Sequence, residues 1–159
     1  MSKLLLVIDV QKDFINNTTS KYVSKIEELV NSNKYENVAF TKFINSEDSL
    51  WYKKLNYKGC MTKEGQEIVI DTKNHKVFEK TIYSSLNEEF KQYLVENNIK
   101  EIYLCGFKTN ACVQKTALDL FESGYEVYVL KEYCMTTSIE LHNVIIDNLR
   151  ELIGSDSII

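Results

Sequence analysis

Apolar residues in this chain come in short unbroken runs, separated by stretches in which they recur every three or four positions. The first run lies in Lys3–Asp9, where Leu4–Ile8 is apolar throughout. A run without alternation is what a strand shows when both faces of its sheet are covered. Val38–Ile44, Ile102–Cys105 and Glu126–Leu130 read as further strands, with Glu67–Ile70 and Lys76–Phe78 as shorter candidates. Between them lie helical stripes. After a polar turn at Asn16–Ser20 comes Val23, Ile26, Leu29 and Val30, then Leu86, Phe90, Tyr93 and Leu94. A third stripe is Val113, Ala117, Leu120 and Phe121, and a fourth Leu141, Val144, Ile145, Leu149 and Leu152. Ser85 with Glu88 and Thr137 with Glu140 have capping-box spacing and mark two helix starts. Strands alternating with helices predict an α/β fold with a mostly parallel sheet. Asn45–Glu67 remains as a long connection, of the kind that carries a binding surface or contacts a partner.

No repeat, low-complexity tract or linker divides the 159 residues, so the expectation is a single domain over 1–159. A net charge of −4 gives no electrostatic footprint for nucleic acid or an anionic membrane. The amino-terminal apolar run ends in Asp9, too short for a signal peptide or a span of about twenty residues. A cytoplasmic protein is the expectation. Cys60, Cys105, Cys112 and Cys134 show no disulfide framework and no CxxC spacing, so reduced thiols are the default.

Chemistry in a parallel sheet collects at the carboxyl ends of the strands. Asp9, Lys80 and the turn holding Cys112 all fall just past predicted strand ends, so they can converge although distant in sequence. Cys112 falls in the first turn of a helix opening near Asn110. A helix dipole there lowers a thiol's pKa and makes it nucleophilic. Each residue also has a plainer reading. Small buried cysteines are common in cores, as Cys105 inside its strand illustrates, and Cys60 and Cys134 fall in loops without an activating feature. Asp9 can cap the following turn, and Lys80 alone is an ordinary surface lysine. A phosphate-accepting aspartate wants a second Asp two positions on, where Gln11 stands. His75 and His142 lack ligand spacing, so no metal site is expected, and His142 suits a packed or solvent-facing role. GxSxG, GxGxxG and GxxxxGK[ST] are missing.

Three segments together resemble the isochorismatase-like cysteine hydrolases, which include nicotinamidases and carbamoylsarcosine amidases. Leu5–Phe14, LLVIDVQKDF, is similar to that family's first strand ending in D-x-Q-x-D-F. Glu79–Ser85, EKTIYSS, is similar to its K-x-x-Y/F-S-x segment, and Gly106–Ala117, GFKTNACVQKTA, to its G-x-x-T-D-x-C-V-x-x-T-A. The resemblance runs from about Lys3 to Ile153 and implies a three-layer α/β/α Rossmann-like fold. It implies a triad of Asp9, Lys80 and Cys112, a cis peptide at Phe107–Lys108, and an oxyanion hole from the backbone N–H groups of Lys108 and Cys112. A homo-oligomer is implied too. Two single positions depart from the pattern: Asn110 stands for the Asp after Thr, where it can still cap the helix, and Ile82 for a small residue. The D-x-H of metal-binding members is replaced by Thr41-Lys42-Phe43-Ile44-Asn45, which points to a metal-free branch without a cofactor.

These residue types suit acyl transfer from a small-molecule amide through a thioester. Phe14, Trp51 and Tyr83 are candidate pocket walls, and Asn45–Glu67 a candidate lid or subunit interface. Two other readings stand beside this one: vinyl ether hydrolysis of isochorismate, and a catalytically silent binding or regulatory module. The intact Asp, Lys and Cys argue against the second.

Overall fold

The computed structural model describes residues 2–159. Five strands form one sheet: β1 (Ser2–Ile8), β2 (Asn37–Phe43), β3 (Lys76–Lys80), β4 (Ile99–Phe107) and β5 (Glu126–Met135). Their order is β3-β2-β1-β4-β5, and every ladder is parallel. The unbroken run in β1 follows from this placement. Leu4, Leu6 and Ile8 enter a core on one face, and Leu5 and Val7 a second core on the other. Helices α3 (Glu88–Glu96), α4 (Gln114–Glu122) and α5 (Ile139–Ile153) cover the first face, and α1 (Val23–Val30) covers the second. All strand ends therefore share one rim.

The predicted strands are present except Glu67–Ile70, which touches other strand-like backbone only in an isolated antiparallel bridge of Ile68 to Gln11. The Gln11 side chain explains why that segment lies at the rim. It donates to the carbonyls of Phe43 (2.9 Å) and Gln66 (3.0 Å) and accepts from the Phe43 N–H (2.8 Å). The long connection also contains a helix that periodicity did not predict, α2 (Leu50–Leu55), capped by Ser49.

Both helix starts shift from the expected caps. Ser85 is committed to α4, its N–H donating to Thr116 Oγ1 at 2.9 Å, so Asn87 caps α3 by accepting from Phe90 N. Ser138, rather than Thr137, caps α5 by accepting from Leu141 N. The buried face of α5 is His142, Ile146, Leu149 and Ile153, while Val144 and Leu152 of the expected stripe are exposed. Phe121 of α4 is exposed as well. β5 continues past Leu130 to Met135, which puts Cys134 in a buried strand and not in a loop.

Gly106 makes a tight contact with the backbone of β1. Its φ is +117°, and a Cβ there would sit 2.1 Å from the Ile8 carbonyl oxygen. Both the left-handed conformation and the close approach of β4 to β1 demand glycine. Gly106→Ala is expected to destabilise the protein by about 2 kcal/mol or more, read as a lower urea midpoint.

Candidate active site

Asp9 follows β1 in a left-handed conformation, φ 49°, and is fully buried. Thr41 of β2 holds it: the hydroxyl donates to Oδ1 at 2.6 Å and accepts from the Asp9 N–H at 3.2 Å. Lys80 ends β3 in register with Phe43 of β2, and its Nζ lies 2.8 Å from Asp9 Oδ2. The ammonium also donates to the carbonyls of Ile82 (2.9 Å) and Tyr83 (3.0 Å). The Ile82 side chain points outward and is exposed, so its backbone is what the site uses. Burial works against the Lys80 charge, but Asp9 and Cys112 beside it outweigh that and raise its pKa. The approach to Oδ2 is an ion pair without hydrogen-bond alignment, which leaves a lone pair on that oxygen unpartnered.

Beyond Gly106 the chain turns sharply. The Phe107–Lys108 peptide bond is cis, and Thr109–Val113 then forms a single π turn before α4 begins. Cys112 thus sits in a π turn, and not in the first α turn of the expected helix. The N–H groups of Ala111 and Val113 both point to the Lys108 carbonyl, while those of Lys108 and Cys112 donate to nothing outside the turn among the described residues. Two neighbours brace it. Thr109 Oγ1 lies 2.8 Å from His142 Nδ1 of α5, and Asn110 Oδ1 accepts from Thr136 Oγ1 at 2.6 Å. Asn110 therefore ties the turn to the end of β5 and caps no helix, a correction to the expected capping role.

The thiol environment overturns one expectation. Cys112 is 5% exposed, and burial followed by the Asp9 carboxylate pushes its pKa up, with Lys80 opposing only in part. Desolvation thus outweighs what a helix end supplies, and the shift runs opposite to the expected lowering.

Cys112 opens into a cleft of about 250 Å³. Phe14, Trp51 and Tyr83 line it, joined by Phe43 and Tyr57, with Lys108 and Asn110 as the polar members beside the thiol. Trp51 meets Tyr83 and Phe43 edge-on at 5.1 and 5.7 Å between ring centres. Phe43 and Tyr57 escaped sequence reasoning because one reads as strand core and the other as an isolated aromatic in a loop. Thr41 and Gln11 escaped it too, although Gln11 stands inside the D-x-Q segment. A larger groove of about 580 Å³, between Tyr22, Lys131, His142 and Arg150, contains no cysteine and none of Asp9, Lys80 or Cys112.

Comparisons with known proteins bear on the family and the fold of the chain. The family described as Isochorismatase domain matches residues 3–156. "Isochorismatase family protein 2A" of Dictyostelium discoideum is 32% identical over 147 residues, 86% of this chain and 66% of that protein. A second relative of that organism, family protein 2B, is 35% identical, with the match spanning 48% of its length. Pyrazinamidase of Pyrococcus horikoshii, in complex with zinc, superposes with a TM-score of 0.86 at 22% identity, covering 99% of this chain and 97% of that one. N-carbamoylsarcosine amidase from Thermoplasma acidophilum gives 0.83 at 19%, covering 97% and 94%. At these identities the structural likeness speaks for the fold. The residues here do not fit a zinc ion. Among the described residues no group of three His, Cys, Asp or Glu could hold a metal. Phe43 is a cleft wall, and the Asn45 side chain is spent on the carbonyls of Tyr57 and Gly59. No helix among the described residues is long and apolar enough to cross a membrane.

Two outcomes follow from the thiol and from His142. At neutral pH iodoacetamide should alkylate Cys112 more slowly than free cysteine, measured by intact mass; faster labelling would show a pre-formed thiolate. Burial lowers the pKa of His142, so protons favour the unfolded chain. Stability should be full above about pH 6.5 and fall as pH drops through the depressed value. His142→Gln should shrink that loss between urea midpoints at pH 7.5 and 5.

Proposed function

Since the chain belongs to the isochorismatase family, we propose that it is a cysteine hydrolase cleaving a C–N bond of a small amide through a thioester on Cys112. The observation that carries this reading is the buried Asp9–Lys80 ion pair next to a thiol that opens into an aromatic cleft. A pure binding site has no use for a carboxylate and an ammonium taken out of water at considerable cost.

With the thiol neutral at rest, proton removal accompanies attack. Asp9 Oδ2, which has a lone pair to spare, takes the Cys112 proton as Sγ bonds to the amide carbon. Lys80 balances the negative charge shared between carboxylate and sulfur. The carbonyl oxygen gains the charge of the tetrahedral intermediate, and the N–H groups of Lys108 and Cys112 receive it. As the intermediate collapses, the C–N bond breaks and Asp9 returns its proton to the departing nitrogen. The products of this half are an amine or ammonia and an acyl thioester. Water then loses a proton to Asp9 and attacks the thioester carbon. The C–S bond breaks, the acid leaves, and the proton on Asp9 restores the thiol. Phe14, Trp51 and Tyr83, with Phe43 and Tyr57, shield these steps from bulk water and give a flat amide an apolar slot.

Cys112→Ala should abolish turnover of any amide substrate, and Cys134→Ala should retain it. Asp9→Asn should lower kcat by roughly a hundredfold or more. Intact mass of the wild-type protein mixed with substrate should show an acyl adduct missing from Cys112→Ala.

A further inference from the structure

The lining of the cleft narrows the substrate class, on the premise that the hydrolase reading above holds. Its one charged member is Lys108. The Nζ of Lys108 lies 5.5 Å from the ring centre of Phe14 and 5.6 Å from that of Tyr57, two rings stacked within 8° of parallel. Such rings steady an ammonium through their negative faces but leave its N–H donors without an acceptor. Nine ion pairs join basic to acidic side chains among the described residues, and Lys108 enters none of them.

The other polar groups point the same way. Asn110 has its Oδ1 engaged by Thr136, which leaves its two N–H groups as donors. The nearest reacting carboxylate, Asp9, is already held by Lys80 and Thr41. An aromatic slot that supplies N–H donors and a positive charge calls for an acceptor-rich, anionic ligand.

We propose that the cleft takes a small amide that also carries a carboxylate, and that the Lys108 side chain is the specificity-determining anchor for that carboxylate. The backbone N–H of the same residue serves the amide oxygen. One residue thereby fixes the spacing between the anionic end of the substrate and its scissile carbonyl.

Succinamate and succinamide share a skeleton and differ in one charged end, so their kcat/KM ratio isolates the anchor from the oxyanion contacts. Wild type should favour succinamate by roughly tenfold or more, the range of a hydrogen bond to a charged partner. In Lys108→Gln the ratio should fall towards one, whatever happens to the absolute rates, and Lys108→Arg should keep the preference. Trp51 is the sole tryptophan, so its fluorescence reads occupancy without turnover. Cys112→Ala should bind succinamate at least tenfold tighter than succinamide, and adding Lys108→Gln should remove the difference. The same ratio in wild type and Lys108→Gln, or no fluorescence response to succinamate, overturns the proposal. If neither amide is hydrolysed and no acyl adduct forms, the fluorescence titration alone decides the anchor, and the hydrolase reading stands or falls on the Cys112→Ala comparison with other amides.

Discussion

The ion pair between Asp9 and Lys80 is the constraint around which the rim of the sheet is built. Both side chains are almost wholly out of water, where an unpaired charge is costly and removing one partner of a pair typically costs about 3–5 kcal/mol. The pair survives because its polar valences are nearly filled. Two carbonyls and Oδ2 surround the ammonium, and the Thr41 hydroxyl steadies Oδ1. It joins β1 to β3, strands that are not neighbours, across β2. Only a parallel sheet, with all carboxyl ends on one side, brings these groups together without a long excursion of the chain.

Cys112 is set against that pair from the other side of β1. Gly106 lets β4 press onto the Ile8 backbone, and the π turn that follows brings Cys112 over the strand ends. A π turn spreads its backbone groups more loosely than an α turn and occurs often at functional positions. Bonds from Thr109 to His142 and from Asn110 to Thr136 anchor the turn to α5 and β5. Burial, and then the Asp9 carboxylate, push the pKa of this thiol up against the opposing Lys80 charge.

Several departures from local expectation have one origin, competition from contacts distant in sequence. Ser85 matches a capping box, yet Thr116 of α4 claims it, and Asn87 takes the cap two residues on. Spacing alone ranked Val144 and Leu152 with the core of α5. In the fold His142 bonds to Thr109, and His142, Ile146, Leu149 and Ile153 are the residues that face inward. Glu67–Ile70 has strand-like composition, but Gln11 fastens it to the rim and no ladder forms. The walls Phe43 and Tyr57 belong to a cleft assembled from five separate segments, for which no periodicity exists to be read.

The sequence by itself determined the parallel α/β architecture and marked Asp9, Lys80 and Cys112 as candidates at strand ends. Covered strands must be apolar throughout, and polar residues at strand ends are then conspicuous. Residue type also restricts what Asp9, Lys80 and Cys112 can do as chemistry. Tertiary structure decided the rest: the burial that pushes the Cys112 thiol up, the π turn that carries it, the caps, the rotation of α5 and the composition of the cleft. Each depends on desolvation or on partners far along the chain, from Thr41 beside Asp9 to His142 beside Thr109. Burial and distance are properties of the folded chain, and a residue's own type does not contain them.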